Sequence, residues 1–194
     1  MIIGGSPDDD NKILHLANAM YQRPAMKRVY YSGYIPINTY DTRLPALTTP
    51  PLVRENRLYQ ADWLMRFYHF KVDEIVNENH PNLELEIDPK LSWALRNPHC
   101  FPVDVNTADY EMILRVPGIG VKSAQLIIAS RKFGRLTSEN LRKIGVVMKR
   151  AKYFITCNEL PTYTVQEARP EQIRQLLTLP AKKKQNDMQL KIPF

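Results

Sequence analysis

A chain of 194 residues, 44% hydrophobic and 24% charged, can bury one medium core or two small ones, as globular proteins do. It has no apolar run of about 18 residues, turns acidic at residues 8–10 instead of opening with a basic region, and carries only Cys100 and Cys157, with no CxxC pair. A membrane span, a signal peptide, a disulfide framework and a cysteine metal site are not expected, whereas a cytoplasmic protein with a polyanionic partner suits the net charge of +7.

Residues 1–38 read as strand, helix, strand. Ile2 and Ile3 form a short apolar run ending at Gly4 and Gly5, and Asp8, Asp9 and Asp10 sit where acids favour a helix start. Ile13, Leu14, Leu16, Ala17 and Met20 then recur at helical spacing, and residues 28–37 are aromatic and β-branched, hence strand-like. Two parallel strands make a poor sheet alone, because parallel sheets need both faces covered, so the unit reads as part of something larger. Gly4 and Gly5 before a helix could cradle a phosphate or cofactor. The full GxGxxG fingerprint is missing, however, and a plain strand-to-helix turn is the simpler account.

Residues 39–51, rich in Pro and Thr, read as an extended linker. A strong helix runs from Leu52 to about Phe70, with Leu58, Ala61, Leu64, Met65 and Tyr68 on one face. Arg57, Tyr59, Gln60, Asp62 and Trp63 invite reading as a polar site. Arg57 and Asp62 are not at a helical pairing distance, so a packed helix end with surface ion pairs is expected instead. A short helix or turn covers residues 73–77, and Asp88 with Pro89 opens a helix carrying Leu91, Trp93, Ala94 and Leu95. His99 and Cys100 are adjacent, a poor geometry for base and nucleophile, and His69 and His80 lack metal-ligand spacing. No catalytic and no metal-ligating residue is expected.

The charge is concentrated further on. Residues 1–102 carry 11 Lys/Arg against 12 Asp/Glu, residues 103–157 carry 10 against 4, and residues 158–194 carry 6 against 4. Between Arg115 and Lys152 all ten basic residues of the middle segment face a single acid, Glu139. Within that stretch, a helix capped by Asn106 or Thr107, with Tyr110, Ile113 and Leu114 at core spacing, runs into Val116, Pro117, Gly118, Ile119 and Gly120. Two glycines around one apolar residue let the chain reverse tightly. The next helix, starting at Val121, Lys122 and Ser123 with Ala124, Ile127 and Ile128 inward, opens with free N–H groups and a positive dipole end. Such a start is a ready phosphate site. Arg131 and Lys132 close that helix.

The pattern recurs more loosely. Thr137 or Ser138 caps a short helix with Leu141, Gly145 and Val146 make the turn, and residues 147–155 form a second helix with Met148, Ala151 and Ile155 inward. Here Gly145, Val146, Lys149, Arg150 and Lys152 are the expected phosphate contacts. Contacts of this kind position nucleic acid without reading its sequence. A structural helix turn, or a hairpin serving a protein partner, is the competing account. Residues 169–179 suggest a short helix, and residues 181–187 a disordered basic tail.

The first turn resembles the helix-hairpin-helix motif. It is also similar to the hairpin of DNA glycosylases of the endonuclease III type, where a lysine at the position of Lys122 can be the nucleophile, assisted by a later aspartate. Here the only Asp after Lys122 is Asp187 and that family's cysteine cluster is missing, so Lys122 is read as a phosphate contact. A longer resemblance spans residues 1 to about 157. Residues 51–68, 109–125 and 145–157 resemble the C-terminal half of the radical SAM proteins assigned to DNA modification or repair. That resemblance implies a partial (β/α) barrel followed by helix-hairpin-helix elements, with a CxxxCxxC loop holding a [4Fe–4S] cluster and S-adenosylmethionine. No such triad exists in this sequence, so neither cofactor is expected in this chain. Residues 1–38 look like the last strands of that barrel, and Gly4 and Gly5 are its candidate contacts to S-adenosylmethionine.

The expected architecture is thus α+β and mostly α. It comprises a partial-barrel remnant with helices over residues 1–102, a tandem helix-hairpin-helix domain over 103–157, and a basic, partly disordered tail over 158–194. The expected function is sequence-nonspecific binding of duplex DNA backbone, without activity of its own. Two readings stand beside it: an enzyme component whose barrel is completed by another polypeptide carrying the cluster, and a protein-interaction module.

Overall fold

Asp9, Asp88, Asp109 and Thr137 each turn a side-chain oxygen onto the backbone N–H three residues ahead, and a helix starts after each. In the computed structural model, which describes residues 1–35, 45, 50–158 and 169–178, the chain is mostly helical with two small parallel sheets. The first part holds β1 (Ile2–Ile3), α1 (Asp10–Tyr21), β2 (Ser32–Gly33), α2 (Leu52–Phe67), α3 (Val72–Ile75) and α4 (Pro89–Arg96). The second holds β3 (Val103–Asp104), α5 (Tyr110–Arg115), α6 (Val121–Ser130), α7 (Ser138–Ile144), α8 (Met148–Ala151), β4 (Ile155–Thr156) and α9 (Pro170–Thr178). Strand β1 pairs with β2 around α1, giving the expected strand–helix–strand unit. Strand β3 pairs with β4, Val103 opposite Ile155, so the α5–α8 segment is tied together where it begins and ends.

Several expectations need correction. The start of α5 is capped by Asp109, not by Asn106 or Thr107. Asn106 instead accepts from the Leu136 N–H at 2.7 Å, bracing the link between α6 and α7. The last helix of the second pair stops at Ala151, and Ile155 is buried as a strand residue, not on a helix face. The cause is the run Tyr153, Phe154, Ile155, whose aromatic and β-branched side chains suit a strand and pack inward. Leu16, one of the helically spaced apolar residues of α1, is exposed, while Leu14 and Ala17 are fully covered. Most of the 39–51 linker and all of the 181–187 tail lie outside the described residues.

Asp62 is the largest departure. It lies buried on α2 and accepts from the Tyr21 hydroxyl at 2.5 Å and from Tyr31 at 3.4 Å, with Arg66 also at 3.4 Å. Burial first, then the bond to Asp62, raises the Tyr21 pKa, and burial raises that of Tyr31 further. Among the described residues Arg57 forms no ion pair; it donates to Leu85 O at 2.9 Å and Gln60 Oε1 at 2.9 Å. A buried carboxylate needs such donors, since one left unpaired is destabilising.

One hydrophobic core runs the length of the molecule, from Ile3 and Leu14 through Leu58 and Trp93 to Ile127, Phe154 and Ile173. Phe70, Trp93, Phe101 and Phe154 form an edge-to-face aromatic chain through it, with ring centroids 5.1 to 6.0 Å apart. Helix α4 is buried on every side from Pro89 to Ala94, which sets its first turn against the α5–α8 segment.

Candidate nucleic-acid interface

The first turn is built from the end of α5. The Val116 N–H donates to Ile113 O and the Ile119 N–H to Val116 O, both at 3.2 Å, while Val116, Pro117 and Ile119 are buried. Gly118 takes a φ of +92°, a left-handed angle that L side chains avoid. A Cβ on Gly118 would stand 2.8 Å from Val147 O and 3.2 Å from Ala151 N. The Val147 N–H donates to Gly118 O at 2.9 Å, so this glycine is where the two turns meet.

Gly120 precedes α6 in an extended conformation and has no side chain to cap it. The N–H groups of Lys122 and Ser123 therefore open the helix without a side-chain acceptor. Those of Gly118 and Gly120 also lack a protein acceptor among the described residues. With ten residues behind it, the α6 start carries a dipole end as well. Val121 is half-buried, and Lys122 projects into solvent.

The second turn is built differently. Gly145 ends α7 with φ +94°; its N–H donates to Arg142 O and that of Val146 to Leu141 O, each at 3.0 Å. Both backbone donors expected to hold a second phosphate are thus engaged inside the protein. Helix α8 has only four residues, too few for a dipole end of consequence. What the second pair offers is side-chain charge.

Lys122, Lys132, Lys149 and Lys152 are all exposed, as are Arg135 and Arg142, and none forms an ion pair among the described residues. The ammonium of Lys152 lies 4.8 Å from the Tyr153 ring centroid. The other predicted contacts have internal duties. Arg131 donates to Ala108 O at 2.5 Å and Val105 O at 3.3 Å, closing the start of α5 against the end of α6. The Ser123 hydroxyl is buried, 3.5 Å from Ile144 O. Arg150 pairs with Asp88, the residue that caps α4, and Arg115 binds Glu74 at 2.9 Å over the Phe70 ring. Lys143 pairs with Glu139 at 2.8 Å, and the bond lowers the carboxyl's pKa and raises the amine's.

Lys90 escaped the sequence reading. It is 8% exposed, donates to Ile119 O at 2.6 Å, and its ammonium sits 4.6 Å from the Tyr68 ring centroid. Burial pulls its pKa down to about 7, with nearby Asp88 opposing and Arg150 adding to the shift. The first turn of α4 therefore holds both turns, through Lys90 to Ile119 and through Asp88 to Arg150. Tyr68 completes the wall: its hydroxyl lies 3.7 Å from where a Gly120 Cβ would be, and burial raises its pKa. The available signal was the position of Lys90 three and four residues from Trp93 and Ala94, on a buried helix side.

Gly4 and Gly5 lead to an α1 start that Asp9 already caps, with Asp8 accepting from Ser6 at 2.6 Å. Three carboxylates crowd that end, a poor setting for a phosphate or for the carboxylate of S-adenosylmethionine. Among the described residues no three His, Cys, Asp or Glu side chains converge on one point. Cys100 and Cys157 are separate, half-buried thiols, so the donor set of a [4Fe–4S] cluster is not met by this chain, and no chemistry is routed through either group. Also among the described residues, no helix is long and apolar enough to cross a membrane. Comparison with protein-family models, with curated proteins and with solved structures yields no match for this chain.

Proposed function

We propose that the chain binds duplex DNA by its backbone, without sequence preference, using α5, the glycine turn and α6 as a helix-hairpin-helix element. The α7–α8 pair forms its looser second copy. The chief support is the α6 start at Gly120, which has no capping side chain of its own, within a field of exposed cations that have no partner among the described residues. One phosphate sits on the N–H groups near Gly118, Gly120 and Lys122, with the Lys122 ammonium beside it. Lys149 and Lys152 supply charge from the second pair, and Lys132 from the far end of α6. On the resemblance to radical SAM proteins of DNA modification or repair, the chain is the DNA-holding part of such a system. Titration of a fluorescent duplex at about 50 and 200 mM salt tests this: affinity should fall steeply with salt and change little between unrelated sequences. Absence of salt-sensitive binding would sink it.

A second reading rests on the β1–β2 pair. Two parallel strands with Ile2, Tyr30 and Ile35 exposed beside them suit completion by a further polypeptide, one that carries the cluster-binding cysteines. Co-purification of this chain with such a polypeptide is its test, and a failure to associate counts against it.

A further inference from the structure

Between α2 and the first turn of α4 lies an open cleft of about 350 Å³ that the phosphate contacts above leave unused. Its size falls within the roughly 300–1,000 Å³ of small-ligand sites. The walls are the rings of Tyr59, Trp63 and Tyr68, with Gln60, Lys90 and Arg150 at the edges. The Tyr59 hydroxyl is already engaged, accepting from the Tyr31 N–H at 3.0 Å and donating to Tyr31 O at 2.9 Å, so this residue offers its ring alone. Trp63 is 58% exposed, tilted against Phe67 at 5.4 Å between centroids, with no described segment covering it. Gln60 accepts from Arg57 through Oε1, which leaves its amide N–H groups as donors. Asp88, the acid in the wall, has one oxygen on the Leu91 N–H and the other on Arg150. The cleft thus presents aromatic faces and donors, with its carboxylate neutralised.

The position of the cleft restricts its occupant. The Lys90 ammonium at its floor bonds Ile119 O in the first turn, and Tyr68 stands against Gly120 at the α6 start. A strand whose phosphate rests on that start passes the mouth of the cleft. Aromatic faces stack any base, whatever the sequence. We infer that the cleft receives one unpaired nucleotide of the bound strand, its base against Trp63, an assignment that rests on the DNA-binding reading above. A base must leave the helical stack to enter, and an unpaired or mismatched one does so at least cost.

The test compares two fluorescent duplexes of the same sequence, one fully paired and one with a single bulged nucleotide, titrated with the full chain and with Trp63→Ala. The full chain should bind the bulged duplex about tenfold more tightly, the scale of one base stacked on an aromatic ring. Trp63→Ala should erase that preference while leaving the affinity for paired duplex and its salt dependence unchanged. Trp63 is exposed, so the variant should fold, which circular dichroism verifies. Equal affinity of the full chain for both duplexes, or an undiminished preference in Trp63→Ala, would overturn the cleft assignment and leave the backbone-binding proposal standing. Failure to bind either duplex would overturn both.

Discussion

Gly118 and Gly145 share a left-handed backbone angle, +92° and +94°, and differ in what surrounds it. A Cβ at Gly145 meets only Ser123 Oγ at 3.7 Å, whereas one at Gly118 runs into Val147 O at 2.8 Å. Gly145→Ala should therefore destabilise by about 1 kcal/mol, the conformational term alone. Gly118→Ala should destabilise by about 2 kcal/mol or more, because the second turn must also move. Urea unfolding of both variants checks this, and equal losses would contradict it. Gly118 is accordingly a poor probe of DNA contact, while Gly120, with nothing closer than Tyr68 at 3.7 Å, is a clean one. Lys90 makes a second prediction at this scale. Its pKa falls from the usual 10.5 to about 7 in the fold. Below pH 7 both states hold the proton and the fold carries the full burial penalty. Between 7 and 10.5 only the unfolded chain holds it, so stability rises with pH, by up to about 1.4 kcal/mol per unit. Lys90→Met removes this titration, so its stability relative to the parent should decline steadily from pH 7 to 10. A difference that stays flat with pH would show that the amine is not depressed.

At the scale of the element, α6 and the loose second pair contribute differently. Lys122→Gln and Lys149→Gln should each lower the slope of log affinity against log salt by about 1 and weaken all sequences alike. Gly120→Ala should reduce affinity at every salt concentration with the slope nearly unchanged, since it crowds backbone donors without removing charge. A charge-dependent response to Gly120→Ala would place the phosphate elsewhere. These elements were legible to different depths. The α5 and α6 helices, their glycine turn and a cap at Thr137 or Ser138 could be read because each depends on neighbours within four residues. The length of α8 could not, because residues 154–156 are drawn into pairing with β3, some fifty residues earlier in the chain. The same holds for the site. Exposed cations follow from composition, but Arg131 and Arg150 turn inward onto Ala108 and Asp88, partners that only the fold brings near. Lys90 and Asp62 were missed for that reason too: buried charge depends on distant donors and acceptors.

Over the whole molecule, the core is continuous from β1 to α9, although the charge is not. Phe101 lies 1% exposed in the middle of the aromatic chain that joins the α2–α4 helices to the α5–α8 segment. Phe101→Ala should cost about 3–5 kcal/mol. Because both parts share this core, unfolding followed by circular dichroism and by tryptophan fluorescence should still coincide. Separate transitions would mean that the two parts fold independently. The main-chain bond from Val147 to Gly118 has a consequence of another kind. It makes the two turns a fixed gauge rather than two independent fingers. Their separation is set before any ligand arrives, so on the proposed DNA-binding reading the α6 start and the Lys149 and Lys152 side chains would meet a polyanion at a fixed interval, at no cost in reshaping the protein. One with a different interval should reach only the α6 start, whatever its sequence.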